Sequence, residues 1–387
     1  MSENIFSKLE GLVKSQGASQ AIEHLTNQLV ASKDYSKLFY TLLVKSRLEL
    51  GLSVIPTAPS NEIPIDKQES FEDSIRESAR KVGGLFLAEN DLEQAWNFYR
   101  MIGETDPIRA KIDAMEPKPD DEMEVPIRLA FYEGLNMPRG FDWILERYGL
   151  CNAITTLSSQ DFSTMPAVRE YCLQKLIVAL HTELALRLRG EIERHDGNTL
   201  ECAKIAVGGL GEIPSLIANR PWLFEEDSYH IDLSHLSSAV QMSINLPKCN
   251  ELEMSVELCE YGKKLSSRFL SKSEPPFENF YESYGVYLEI NAGREIEKNL
   301  NYFRQIAKDN EPDGSSYPSE ILMQLLEKLG KSEEALELAG KTLNAAGLYG
   351  MCKKAGSFKA MQQAALAQND PVHYLAALIE SQRLAKA

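Results

Sequence analysis

The sequence predicts an all-α fold of stacked helical hairpins, and three features carry that prediction. Apolar residues recur at helical spacing between almost every pair of turn signals. In the C-terminal half the turn signals themselves recur at intervals of about 40 residues, the length of a two-helix unit. No segment shows the alternation of a half-buried strand.

From the N-terminus, Ile5, Leu9, Leu12 and Val13 fall on one helical face, followed by Ala21, Ile22, Leu25, Leu29 and Val30, then by Leu38, Phe39, Leu42 and Leu43. Short breaks at Gly17 and at Ser32-Lys33-Asp34 separate them. Pro56, Pro59 and Pro64 mark a linker over 52–68, because each proline removes an amide donor and fixes φ. The acidic run from Pro117 to Glu124 is a second break and places the main boundary near residue 120. The chain thus reads as an N-terminal helical module, 1–116, and a helical-repeat array, 125–387, whose part 125–248 reads either as divergent solenoid or as a separate all-α module. Turn signals in the array fall at Gly211, Cys249-Asn250, Asn291-Ala292-Gly293, Gly330-Lys331 and Asn369-Asp370. Asp91 and Asp370 are placed to cap the helices that follow, with Pro371 at a first helical position where its missing donor costs nothing.

With 387 residues and 43% hydrophobic side chains, the chain can bury a sizeable core. Its 41 basic against 57 acidic residues give a net charge of −16, which argues against nucleic-acid binding, since that needs a basic footprint. Six cysteines without any C-x-x-C pair suit a reducing compartment better than a disulfide frame or zinc cage. There is no apolar stretch of signal-peptide or membrane-span length. A cytoplasmic protein with no membrane association and no cofactor is the expectation.

The sharpest repeat lies at 79–107. Val82-Gly83, Phe86, Ala95, Tyr99 and Pro107 stand at the spacings of the tetratricopeptide signature, with Ala79 where a tryptophan is usual. This segment resembles a tetratricopeptide repeat, and degenerate copies follow over about 250–387. The resemblance implies a right-handed α-solenoid. In it Gly83 and Ala95 would let two helices approach, Phe86 and Tyr99 would fill the seam and Pro107 would end the unit. It further implies a scaffold or adaptor that binds a protein or peptide.

Motifs for chemistry are weaker. In His230-Ile231-Asp232-Leu233-Ser234-His235 the two histidines are five apart, about 140° around a helix, whereas a helical zinc pair uses i and i+4. Asp232 as the cap of a helix starting at Leu233 is the simpler reading. His181, Glu183, Glu191 and His195 lie on one helical stretch without the H-E-x-x-H order and read as a solvated charged face. Gly330-Lys331-Ser332 and Gly340-Lys341-Thr342 end like phosphate loops but have Leu325 and Ala335 in place of the first glycine. Gly208-Gly209-Leu210-Gly211 lacks the third glycine of the dinucleotide-binding pattern G-x-G-x-x-G and a strand before it, and no G-x-S-x-G elbow occurs.

The stripe Phe277, Phe280, Tyr281, Tyr284 and Tyr287 reads as a packed seam or, in part, as a groove lined by binding anchors. In tetratricopeptide proteins that grip acidic chaperone tails, Lys and Asn project into the groove. The matching positions here, Arg80 and Gly84, keep only one basic residue. The expected partner is therefore neutral to basic and partly apolar, engaged near Tyr281, Tyr284 and Tyr287, with Arg80 as the remaining cationic contact. An enzyme or metal site built on His230, Asp232 and His235, and a structural homo-oligomer, are the alternatives.

Overall fold

The computed structural model describes residues 4–55, 63–197, 208–269, 273–310 and 316–384. Among them every regular element is helical. The chain divides into two compact units, Met1–Arg147 and Tyr148–Ala387.

The first unit opens with α1 (Ile5–Gln16), α2 (Ala18–Ala31) and α3 (Tyr35–Glu49). Local chemistry fixes each end. Asn4 caps α1 by accepting from the Phe6 amide at 3.1 Å, and Gly17 turns the chain at φ 90°, a conformation that suits glycine. Asp34 caps α3 through the Lys37 amide at 3.2 Å. The proline linker is shorter than the sequence implied: α4 (Ile65–Ala88) starts directly after Pro64, so 65–68 are helical. Pro56 and Pro59 lie outside the described residues.

α4 and α5 (Leu92–Met101) form the hairpin anticipated at 79–107, with Asn90 at φ 60° in the turn and Asp91 capping α5 through the Gln94 amide at 3.0 Å. Leu38, Ala79 and Val82 are fully buried where α3 packs on α4. Pro107 comes after α5 has ended at Met101. It sits in the first turn of α6 (Asp106–Asp113), where its missing donor is harmless.

The acidic run is not a boundary between units. Arg147 donates to the carbonyls of Lys118 and Pro119, and Arg139 to that of Met115, so the segment is held to the helix that follows it. α7 (Glu124–Ile127) runs into a π-turn, Arg128–Tyr132, and then α8 (Met137–Ser159), which is broken at Gly149 (φ 74°) beside the division of the units. Gly140 of α8 lies against that π-turn. A Cβ there would come within 2.7 Å of the Phe131 amide nitrogen and Cβ, a distance no packing adjustment of a side-chain tip can relieve.

In the second unit the 31-residue α9 (Pro166–Asp196) buries Cys172, Leu173, Leu176, Ile177, Leu180, Leu184, Leu188 and Ile192 along one stripe. It packs against α10 (Glu212–Ile217), α11 (Leu233–Met242) and α12 (Asn250–Gly262) together. This part is a cluster about one long helix, not a run of hairpins. From α12 onward packing is sequential: α13 (Phe280–Ala292), α14 (Ile296–Asn310), α15 (Tyr317–Lys328) and α16 (Ser332–Thr342) each meet the next. α17 (Tyr349–Ala355), α18 (Lys359–Ala367) and α19 (Pro371–Leu384) complete it. Gly293, Gly330 and Asn369 take positive φ at inter-helix turns, as their spacing predicts.

Among the described residues no helix is long and apolar enough to cross a membrane.

Gly140→Ala is expected to lower stability by ~1–3 kcal/mol, the usual range for overpacking. Gly190→Ala, in α9 with nothing within 4 Å of an added Cβ, is expected to gain up to ~1 kcal/mol from helix propensity. Denaturant midpoints of the two variants should move in opposite directions; an unchanged midpoint for Gly140→Ala would refute the close approach.

Candidate functional site

The α4–α5 hairpin places its signature residues inside. Ala95 is fully buried, but the surface opposite Gly83 is Tyr99 and Phe98: a Cβ on Gly83 would stand 3.0 Å from Tyr99 Cε2 and 3.3 Å from Phe98 Cβ. Phe86 meets Tyr35 edge-on at 5.2 Å and stacks on Phe98 at 5.7 Å. Arg80 is exposed yet engaged. Its Nε lies 2.7 Å from Glu104 Oε2 and its terminal nitrogen 2.7 Å from Oε1, a two-pronged pair that raises the guanidinium pKa and holds the Glu104 carboxyl below its ordinary range. The cationic contact expected of Arg80 is thereby occupied within its own hairpin.

The tyrosine stripe is core, not surface. Tyr281, Tyr284 and Tyr287 are 5%, 3% and 1% exposed. Gly262 is the reason for the first: a Cβ there would reach 2.7 Å from Tyr281 Cδ2 and closer still to Cγ and Cδ1, so α12 and α13 approach over a bare glycine. Tyr284 stacks on Phe277 at 4.1 Å, and Tyr287 meets Phe303 edge-on at 6.0 Å. Burial pushes the phenols up, Tyr284 and Tyr287 to about 12 and Tyr281 further. These residues are unavailable to a partner as anchors because their rings are spent on the α12–α13–α14 seam.

His230, Asp232 and His235 do line one depression, of about 440 Å³, together with Tyr148, Cys151 and Arg187. His230 and Asp232 each have a partner nearby. Asp232 accepts from the Ser234 amide at 2.8 Å and the His235 amide at 3.3 Å, capping α11, and these bonds lower its pKa. His230 faces the buried Tyr261, whose oxygen accepts from the His230 amide at 2.9 Å and lies 3.1 Å from Nδ1. Burial depresses the His230 pKa, favouring the neutral ring that can accept the phenol proton. Among the described residues no three His, Cys, Asp or Glu side chains are grouped to hold a metal. Gly330 lies in a left-handed turn after α15 and Gly340 inside α16, so neither ends a loop fed by a strand.

His181 departs from the solvated face expected of it. It is fully buried, and its Nε2 lies 3.0 Å from Glu257 Oε2. Glu257, on α12, also accepts from the amides of Gly211 and, at 3.3 Å, Ile213, which satisfies donors at the start of α10. Beside it Glu212 accepts from Arg189 Nε at 2.7 Å and the Gly208 amide at 2.6 Å. Among the described residues His181 Nδ1 has no hydrogen-bond partner. His195 stacks on Trp222 at 3.8 Å, while Glu191 pairs with Arg194 at 2.6 Å.

A further feature lies in the first unit. A cleft of about 780 Å³ opens between the α4–α5 turn and the 115–126 segment. Half-buried Met115, Pro117 and Val125 line it over the buried Leu92 and Pro126, and carboxylates surround them. Its signal in the sequence is the acidic run, which reads as a linker because the arginines that fold it come later in the chain.

A histidine with a depressed folded pKa binds fewer protons folded than unfolded as pH falls through its ordinary value of 6.5. The stabilisation is therefore present above that pH and lost below it. Chemical denaturation at pH 7.5 and 5.5 should show a smaller acid-induced loss for His230→Gln than for the parent; equal losses would mean that His230 does not titrate differently on folding. No protein-family model, curated protein or solved structure matches this chain.

Proposed function

We propose that this protein is a non-catalytic scaffold or adaptor that binds another protein or peptide through the surface of a tetratricopeptide-like helical-repeat array. The observation that supports the reading is the packing of consecutive helices on one another, from α1 to α5 and again from α12 to α16. Arrays of this kind contact mainly nearest neighbours and leave long lateral surfaces free for ligands. The α4–α5 hairpin, with its small residues at the crossing and aromatic rings in the seam, supports a tetratricopeptide-like unit at 79–107. Roles of His230, Asp232 and Tyr261 in capping and packing account for the histidine motif without catalysis.

Selection of a displayed random-peptide library on the immobilised intact protein provides the test. The expected result is enrichment of a consensus sequence that then binds saturably in solution. Failure of any consensus to emerge over repeated rounds would overturn the reading.

A further inference from the structure

Building on that reading, we infer that the cleft between the α4–α5 turn and the 115–126 segment is a docking site for a short basic peptide segment carrying apolar side chains. Two independent properties converge there. The floor is apolar, formed by Met115, Pro117 and Val125, and a volume of about 780 Å³ is of the size that holds several side chains. The rim is acidic: Glu89, Asp91, Glu93, Glu116, Asp121 and Glu122 surround it, against the single Lys111.

The rim carboxylates are not equivalent. Glu89 pairs with Lys33 at 2.5 Å and Glu93 with Arg128 at 2.9 Å. Asp91 and Asp121 accept from backbone amides, at 3.0 and 2.7 Å. Glu116 and Glu122 are exposed and take no partner among the described residues. They are the two carboxylates free to receive a cation without breaking an existing pair.

The walls are also held in place before any ligand arrives. Arg139 and Arg147 fasten the carbonyls of Met115, Lys118 and Pro119, and Arg109 Nε reaches the Leu135 carbonyl at 3.0 Å. A preformed cleft spares the ordering cost that a loose loop would impose on binding. Carboxylates on a solvated surface alone would attract any cation diffusely; the apolar floor is what selects a segment with apolar side chains between its charges. A lysine- or arginine-rich segment bearing leucine-like residues satisfies both, and an acidic or wholly polar one satisfies neither.

The probe is a fluorescent peptide of sequence KRLLKR, titrated with the full-length protein by anisotropy, beside KRSSKR and EDLLED. Saturable binding of KRLLKR is expected, with none for EDLLED and a clear loss for KRSSKR. The double variant Glu116→Lys with Glu122→Lys should weaken KRLLKR about tenfold or more, as for loss of close charge pairs. Glu23→Lys with Glu69→Lys, an equal charge change at exposed positions of the same unit, should leave it unchanged. Circular dichroism verifies that both variants keep their helicity. Absence of KRLLKR binding, equal weakening by both variants, or undiminished binding of KRSSKR would each overturn the cleft assignment. Any of these together with a library consensus unrelated to basic sequences would leave the scaffold reading standing, so the two failures are distinguishable.

Discussion

A short helix with one apolar face cannot stay folded alone in water, and in this chain the partner it finds is usually the next helix along. α1 to α5 pair in succession, as do α12 to α16. That constraint sets the role of most other features. Turns must be tight enough to return the chain, so Asn90, Gly293, Gly330 and Asn369 adopt positive φ at them. Crossings must be close, so glycine faces an aromatic ring at Gly83 and again at Gly262. Where a helix has more than one partner, as α9 does, polar groups enter the interior. The buried pairs His181–Glu257 and Arg189–Glu212 then satisfy one another along with the amides at the start of α10.

The parts legible in the sequence are those decided within a few residues. Asp91, Asp232 and Asp370 cap their helices because a cap needs only its own side chain and the amides two or three positions ahead. The helical hairpin at 79–107 was legible for the same reason. What remained hidden depends on distant partners. The tyrosines of α13 carry the composition of a binding stripe, and their burial depends on Gly262 of the preceding helix for Tyr281 and on Phe277 and Phe303 for Tyr284 and Tyr287. His181 sits among charged neighbours in sequence, while the residue that defines it, Glu257, is 76 positions away. The acidic run reads as a break until Arg139 and Arg147 are seen to fold it back.

This last case explains why the surface with the most distinctive chemistry is not the one that repeat logic indicates. A repeat signature locates residues that hold helices together, and those residues are buried by the same contacts. Arg80, the cationic groove position that the resemblance implied, is satisfied by Glu104 within its own hairpin. Ligand-facing chemistry is left to segments with fewer internal obligations, such as the loop carrying Glu116 and Glu122.

The contact of Gly140 with the π-turn bears on how relatives of this protein could be recognised. Surface charges can drift and core side chains can trade volume among themselves, but a backbone atom 2.7 Å from a prospective Cβ cannot be traded. Any homologue that keeps the π-turn has to keep a glycine nine residues after Phe131, whatever happens to the helices around it. The pairing of that glycine with the Arg128–Tyr132 segment is thus a more durable fingerprint for distant kinship than the repeat signature, whose positions tolerate several small or aromatic substitutes.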